Sequence, residues 1–178
     1  MKQVRYRWFW AWDFDREEEW LNAWAAEGQA LVDASGIRYV FEESAPGAYE
    51  YRLELLEHTP GNPESVRYLR FLEETGIECV GTFGRWAYLR RRSDGAPFSL
   101  FSDIDSKIAH LQRVKTLVLA VLVMQLAGAA NLLMRLDHAR DMLPIAVVWA
   151  VVVVLVAYGF ARIARKVGRL KREREVWE

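Results

Sequence analysis

The chain has 178 residues, of which 52% are hydrophobic, and its 24 basic and 24 acidic side chains give no net charge at neutral pH. A single cysteine, Cys79, excludes an internal disulfide framework and suits a reducing compartment. The neutral total hides an asymmetry. Residues 1–101 hold 12 basic and 17 acidic side chains, a balance of −5, whereas residues 102–178 hold 12 and 7, a balance of +5. We therefore expect two domains, 1–101 and 102–178.

The N-terminal residues alternate with the period of a β-strand. Aromatic side chains recur at every second position over Val4–Trp12, and such segments favour strands. Tyr6, Trp8, Trp10 and Trp12 would share one face. The segment lacks the apolar core of a cleavable signal peptide, so the first half is expected to remain in the cytoplasm.

A helix is predicted to follow this strand. Asp15 is the expected N-cap, Glu18 completes a capping box, and Gly28 suits the left-handed position past the helix end. Trp20 and Trp24 lie on the apolar face. The prediction is an amphipathic helix that packs on a sheet.

Short strands and a second helix come next, separated by turn residues. Asn62 and Pro63 suit the start of the helix and Gly76 its end. Turns are expected at Ser35-Gly36, Pro46-Gly47 and Gly84. The predicted strands are Ala30–Ala34, Ile37–Glu42, Tyr49–Leu56, Ile77–Phe83 and Arg85–Arg90.

The order strand–helix–strand–strand occurs twice. A shift of 48 residues places Gly28 on Gly76 and Gly36 on Gly84. We therefore expect two repeats, about 4–48 and 49–92, in an α+β cytoplasmic domain. The predicted arrangement is a largely antiparallel sheet with both helices on one face.

Two uncharged apolar segments dominate the second half. Thr116–Met134 and Met142–Ala161 would each span about 28 Å as helices, close to the thickness of a bilayer's hydrocarbon core. A buried soluble hairpin would give a similar pattern, but this length without charge is typical of membrane spans. We expect a juxtamembrane helix capped by Ser102, transmembrane helices over about 116–134 and 142–161, and a basic tail.

Basic residues flank the two spans. In the connecting loop, Arg135 and Arg140 are offset by two aspartates, so the positive-inside rule places both termini in the cytoplasm and the chain in the inner (plasma) membrane. Candidates for lipid headgroup contact are Arg162, Arg165, Lys166 and Arg169. Candidates for packing the two spans together are Gln125, Gly128, Asn131, Ala146 and Ala150.

The sequence contains no recognisable catalytic or metal-binding constellation. The histidines fall in three separate segments (His58, His110 and His138), so neither a metal nor a cofactor is expected. The pairs Asp13–Asp15 and Asp103–Asp105 have the spacing of carboxylates that hold a divalent ion, but helix capping explains them. A lipid-modifying enzyme that uses Asp13 and Asp15 therefore ranks behind non-enzymatic functions.

The tryptophans are the main candidates for ligand binding. Six lie in the first half: Trp8, Trp10, Trp12, Trp20, Trp24 and Trp86. Core packing accounts for most residues of this type. Because six exceed what one sheet–helix interface needs, the remainder would line a cleft for a flat or cationic hydrophobic ligand, or form a surface for a protein partner. Nucleic acid is not expected, since the basic tail adjoins a span.

Several stretches together resemble an uncharacterised family of bacterial membrane proteins, a domain of unknown function often encoded beside PadR-type transcription regulators. They are Asp13–Leu21, Ala26–Gly28, Pro46–Arg52 and Phe98–Asp103. The resemblance implies an architecture and a regulatory setting, but no activity. The doubled order of elements is also similar in topology to ligand-binding domains of the gyrase-inhibitory-protein type.

These observations favour a non-enzymatic sensor or adaptor tethered to the membrane, in contact with membrane lipid. Its aromatic cytoplasmic domain would bind a small hydrophobic ligand or a protein partner, with a PadR-type regulatory system as one setting. The alternative is an accessory subunit of a membrane transporter or other membrane complex, with the hairpin as the docking element.

Overall fold

The structure is a computed structural model that describes residues 2–96, 98–100, 104–133 and 139–177. The chain divides into two compact units, Met1–Ser102 and Asp103–Glu178. Strands and two helices build the first unit, and two long helices build the second. The predicted cap at Ser102, its neighbour Asp103 and the loop residues 134–138 lie outside the described residues.

The first unit contains two copies of the same supersecondary order. The first copy consists of β1 (Gln3–Tyr6), a single 3-10 turn (Ala11–Asp13), α1 (Phe14–Ala26), β2 (Gln29–Ser35) and β3 (Arg38–Glu43). The second consists of β4 (Tyr49–Leu55), α2 (Pro63–Glu74), β5 (Ile77–Phe83) and β6 (Trp86–Arg92). The predicted α+β class and the duplication are confirmed.

The two copies also share local irregularities at the predicted spacing. Each second strand has a register shift, at Val32 in β2 and at Val80 in β5. Each helix is followed by a glycine in the left-handed region, with φ of +80° at Gly28 and +84° at Gly76. Because a β-carbon disfavours this conformation, glycine is needed at both helix ends.

The strands form two sheets rather than the single sheet that was predicted. Their orders are β1-β3-β2 and β4-β6-β5, and all pairs are antiparallel. The bulged strands β2 and β5 approach closely: a β-carbon on Gly81 would lie 2.7 Å from the backbone N and O of Ala34. A bulge disrupts the regular ladder, so the two edges meet without merging into one sheet.

The two helices do not share one face as expected. Tyr88 of β6 belongs to a core with Leu21 of α1, whereas its neighbour Leu89 packs with Leu72 of α2. Because successive residues of a strand point to opposite sides, α1 and α2 cover opposite faces of the second sheet.

The N-terminal segment departs from prediction in two ways. β1 ends at Tyr6 instead of Trp12, because its partner β3 begins at Arg38 and the last backbone bond joins the Arg7 N–H to the Ile37 carbonyl. The predicted capping box is wrong. α1 begins at Phe14, so Asp15 lies inside the helix. The N-cap position is Asp13, whose side chain makes no capping hydrogen bond.

The second helix matches its predicted boundaries. Asn62 is the N-cap, and its side chain accepts a 2.9 Å hydrogen bond from the Glu64 N–H. Pro63 occupies the first turn, where its missing N–H is not needed. Start and stop signals were therefore sufficient to place α2.

The second unit is an antiparallel pair of helices, α3 (Ile104–Leu133) and α4 (Ala139–Trp177). The start of α3 contacts the end of α4, where Asp105 and Arg174 form a 3.0 Å ion pair. The middle of the pair is joined by a contact between Gln125 and Trp149. Both helices are long and apolar enough to span a membrane. The basic tail continues α4 without interruption.

The close approach of β5 to β2 predicts that Gly81→Ala will destabilise the first unit. The added methyl group must displace backbone atoms of Ala34, and overpacking of this kind costs about 1–3 kcal/mol. The melting temperature, followed by near-ultraviolet circular dichroism in detergent micelles, should fall. Gly61→Ala is the matched control because nothing lies within 4 Å of its β-carbon. Equal melting temperatures for the two variants would contradict the contact.

Candidate functional site

The first strand of the chain has an inverted polarity. The Cζ atom of Arg5 lies 3.8 Å from a ring centre of Trp24, and that of Arg7 lies 5.2 Å from Trp20. Both arginines therefore turn toward α1, where their charges lie over the electron-rich faces of indole rings. Since alternate residues of a strand point to opposite sides, Val4 and Tyr6 of β1 turn outward.

Together with two exposed tryptophans that follow β1, these side chains form a surface that we name the aromatic ridge: Val4, Tyr6, Trp8 and Trp10. Tyr6 is 71% exposed and Trp8 is 62% exposed, which is high for large aromatic residues. Trp8 packs edge-on against Trp10 with ring centres 5.4 Å apart, and Trp10 stacks on Trp12 at 5.0 Å. Because Trp12 is only 4% exposed, it anchors the ridge to the folded domain.

The other three candidate tryptophans belong to the border of the core. Trp20 packs edge-on against Tyr39 with ring centres 4.9 Å apart, and Trp24 lies beside it at 6.4 Å. Trp86 packs against Phe14 at 5.6 Å. The six tryptophans therefore divide into a surface ladder and a set of packing residues, and they do not surround one common cleft.

Side chains of α1 bind the edge of the second sheet. The Oδ1 atom of Asn22 accepts from the Tyr51 N–H at 2.8 Å, and its Nδ2 atom donates to the Tyr51 carbonyl at 3.1 Å. The Oε1 atom of Glu18 accepts from the Leu53 N–H at 2.8 Å. The helix thus satisfies backbone groups of β4 that a neighbouring strand would otherwise pair.

Two adjacent carboxyl groups of α1 are held away from solvent. The Tyr39 hydroxyl donates a 2.6 Å hydrogen bond to Glu17 Oε1, and Tyr88 hydrogen-bonds the same carboxyl group. Burial raises the pKa of Glu17 because the charged form loses its hydration. Burial likewise raises the pKa of Glu18 to about 7. Both groups favour the protonated state more than an exposed glutamate does.

Sequence reasoning missed these contacts of Glu17, Glu18 and Asn22, which join the two copies. It assigned Glu18 to a capping box, and it gave Asn22 no role. The available signal was spacing: Glu18 and Asn22 are four residues apart and therefore lie on one side of the helix, next to the buried Leu21. A polar pair beside an apolar stripe indicates a buried polar contact.

In the second unit, Trp149 makes the central contact between the helices. A β-carbon at Gly128 would overlap its indole ring, and the Trp149 Nε1–H donates to the Gln125 backbone carbonyl at 3.0 Å. The other predicted packing residues are placed differently: Ala146 is half-buried, and Asn131 and Ala150 are exposed. Sequence reasoning identified Gly128 and Gln125 but not the tryptophan that joins them.

The predicted headgroup residues lie on successive turns of α4. Arg165 and Arg169 are exposed, and Arg162 and Lys166 are half-buried. Within the described part of the chain, no group of three or more histidine, cysteine, aspartate or glutamate side chains could hold a metal ion. Cys79 is exposed, and the His58 Nε2 atom lies 3.0 Å from a carboxylate oxygen of Glu64.

The fold and site define the class of protein: a duplicated α+β domain followed by two long apolar helices. Residues 13–123 match the family described as "Protein of unknown function (DUF2812)". This match covers more than half of the chain, so the chain belongs to that family. No curated protein and no solved structure was found to match. The matched segment begins at Asp13, after the aromatic ridge, and ends within α3.

The burial of Glu18 predicts a pH-dependent stability. Its pKa is raised from 4.5 to about 7 in the folded chain, so this group stabilises the fold most below about pH 4.5, and that contribution is lost as the pH rises through 7. Glu18→Gln keeps an oxygen that can accept from the Leu53 N–H. We therefore expect it to raise the melting temperature at pH 8, with a change in unfolding free energy on the order of 3 kcal/mol at most.

Melting curves of the wild type and Glu18→Gln from pH 5 to pH 8 provide the measurement. The variant should lose part of the pH dependence, while Glu17 retains its share. Glu19→Gln is the matched control, since Glu19 is an exposed neighbour on the same helix. An identical pH dependence in the wild type and Glu18→Gln would show that Glu18 does not titrate in this range.

Proposed function

We propose that the protein is a membrane-tethered, non-enzymatic adaptor whose aromatic ridge binds a protein partner. The observation that carries the proposal is the inverted polarity of β1 and the residues after it: Arg5 and Arg7 stack inward, and Tyr6 and Trp8 are exposed. A soluble surface rarely presents contiguous aromatic side chains without an interaction to use them. Tyrosine, tryptophan and arginine are also the residues enriched at protein contacts.

The apolar helices support the tether. Their candidate spans are Ile104–Asn131 and Leu143–Arg174, and only 11% of the most apolar window of each is buried within the structure. A core helix of a soluble protein would have most of that window covered. The apolar side chains that remain exposed in these windows are suited to a lipid environment. The positive-inside rule supports a multi-pass inner-membrane protein with both termini in the cytoplasm as part of this proposal.

A protein partner is better supported than a small hydrophobic ligand. The cleft form of the hypothesis requires several tryptophans around one cavity, but Arg5 and Arg7 already lie over Trp24 and Trp20. An exposed ladder of rings offers contact area without enclosing a ligand. The resemblance noted above makes a PadR-type transcription regulator one candidate for the partner.

A second candidate is an accessory subunit of a membrane complex that docks through the hairpin. The observation that favours it is Asn131, a polar side chain exposed on α3 beside otherwise apolar positions. In lipid, such a group seeks a hydrogen-bonding partner on another helix. A groove of about 470 Å³ on the same unit is lined by Gln125, Pro144, Ile145, Val148, Trp149 and Val152.

Site-specific photocrosslinking in native membranes separates the two candidates. The full-length chain carries a photoreactive amino acid at Trp8, at Asn131 or at Phe71. Phe71 is the matched control because it is an exposed aromatic residue on α2, outside the set of ridge residues. The adaptor predicts that the chain stays in the membrane pellet after an alkaline carbonate wash. It also predicts one discrete protein adduct at position 8, absent at position 71.

Two outcomes would count against the adaptor. Release of the chain from the membrane by the carbonate wash would exclude the proposed membrane tether. Adducts with an integral membrane protein at Asn131, together with equal background at Trp8 and Phe71, would favour the accessory subunit. Because Trp8 is largely exposed, Trp8→Ser should leave the melting temperature within about 1 °C of the wild type, and this checks that the fold is intact.

A further inference from the structure

We infer that the partner of the aromatic ridge binds by adding a β-strand to the free edge of β1, through an extended segment in which acidic and apolar residues alternate. This inference rests on the proposed function and specifies how the same surface is used. It follows from the state of the four sheet edges, the direction of the β1 backbone groups and the local charge.

Three of the four strand edges in the described residues are occupied. The β4 edge is bound by Asn22 and Glu18 of α1. At the β2 edge, the Leu31 N–H donates to the Tyr51 hydroxyl at 2.8 Å, and the Leu31 carbonyl accepts from Arg90. The third occupied edge is that of β5, which meets β2 where Gly81 closely approaches the backbone of Ala34. Native proteins cover edges in this way because an open edge invites pairing.

The β1 edge is different. β1 is hydrogen-bonded to β3 alone among the described strands, and the Arg7 N–H points to β3, where the Ile37 carbonyl accepts it at 2.9 Å. Because backbone direction alternates along an antiparallel strand, Val4 and Tyr6 turn their N–H and carbonyl groups to the free side. The side chains of these same two residues are 48% and 71% exposed.

The charges around this edge specify the partner. Residues 2–12 contain Lys2, Arg5 and Arg7 and no acidic residue, whereas residues 13–101 hold 9 basic and 17 acidic side chains, a balance of −8. An added strand would place alternate side chains beside Val4 and Tyr6 and the others on the side of the arginines. Apolar residues suit the first set, and acidic residues suit the second.

Two other occupants fit less well. A second copy of this chain would pair β1 with β1 and bring the arginines of the two strands together, which is unfavourable. An anionic lipid surface would attract Lys2 and Arg7, but hydrocarbon cannot satisfy the open backbone groups of an edge. A protein strand satisfies the charge, the exposed rings and the backbone groups at once.

The test uses the full-length chain in nanodiscs and a blocked synthetic peptide of about seven residues in which glutamate and valine alternate. We expect the peptide to bind and to slow hydrogen exchange at the Val4 and Tyr6 amides, read by NMR. A peptide of the same length in which lysine and valine alternate is the charge control. Val4→Pro removes one outward N–H and should weaken binding about tenfold. Val4→Thr keeps the N–H and should bind as the wild type does.

Other outcomes overturn the inference. Peptide binding without protection at Val4 and Tyr6 would leave the ridge as a docking surface but exclude strand addition, so the proposed function would survive its failure. Absence of binding, or equal binding of the lysine peptide, would exclude an acidic strand. Protection of both amides by phosphatidylglycerol nanodiscs alone would assign the edge to lipid. If Val4→Pro fails to fold, Tyr6→Ser, compared with Phe71→Ser, must weaken binding selectively.

Discussion

The orientation of the N-terminal segment depends on the packing of two arginines against two tryptophans. Arg5 over Trp24 and Arg7 over Trp20 determine which side of β1 faces α1. A conventional amphipathic strand would bury its aromatic residues and expose its charges. Here the cation–π contacts reverse that order, so Tyr6 and Trp8 are left exposed.

A second constraint keeps the two copies together. Asn22 and Glu18 hydrogen-bond the backbone of β4, and Tyr51 hydrogen-bonds the backbone of β2 in return. Each copy therefore completes the edge of the other, and neither would be satisfied alone. Burial of Glu18 among these contacts raises its pKa to about 7, so the contacts between the two copies depend on pH.

The duplicated order and α2 followed from sequence, because turn glycines and the Asn62–Pro63 signal act locally. The number of sheets did not, since the separation of β2 from β5 arises from bulges that periodicity does not reveal. The division of the six tryptophans between the ridge and the border of the core could not be predicted, because it required the positions of Arg5 and Arg7. Trp149 was overlooked because small residues, not the ring above Gly128, carry the packing signal in apolar helices.

The inverted polarity of β1 can be measured directly by incorporating 5-fluorotryptophan at the eight tryptophans and recording 19F NMR spectra of the full-length chain. Single Trp→Phe substitutions would assign the signals. A water-soluble gadolinium chelate should broaden the Trp8 signal strongly, those of Trp10 and the half-buried Trp24 less, and that of Trp12 little. Broadening of Trp24 with protection of Trp8 would mean that the strand has conventional polarity, which would contradict the account.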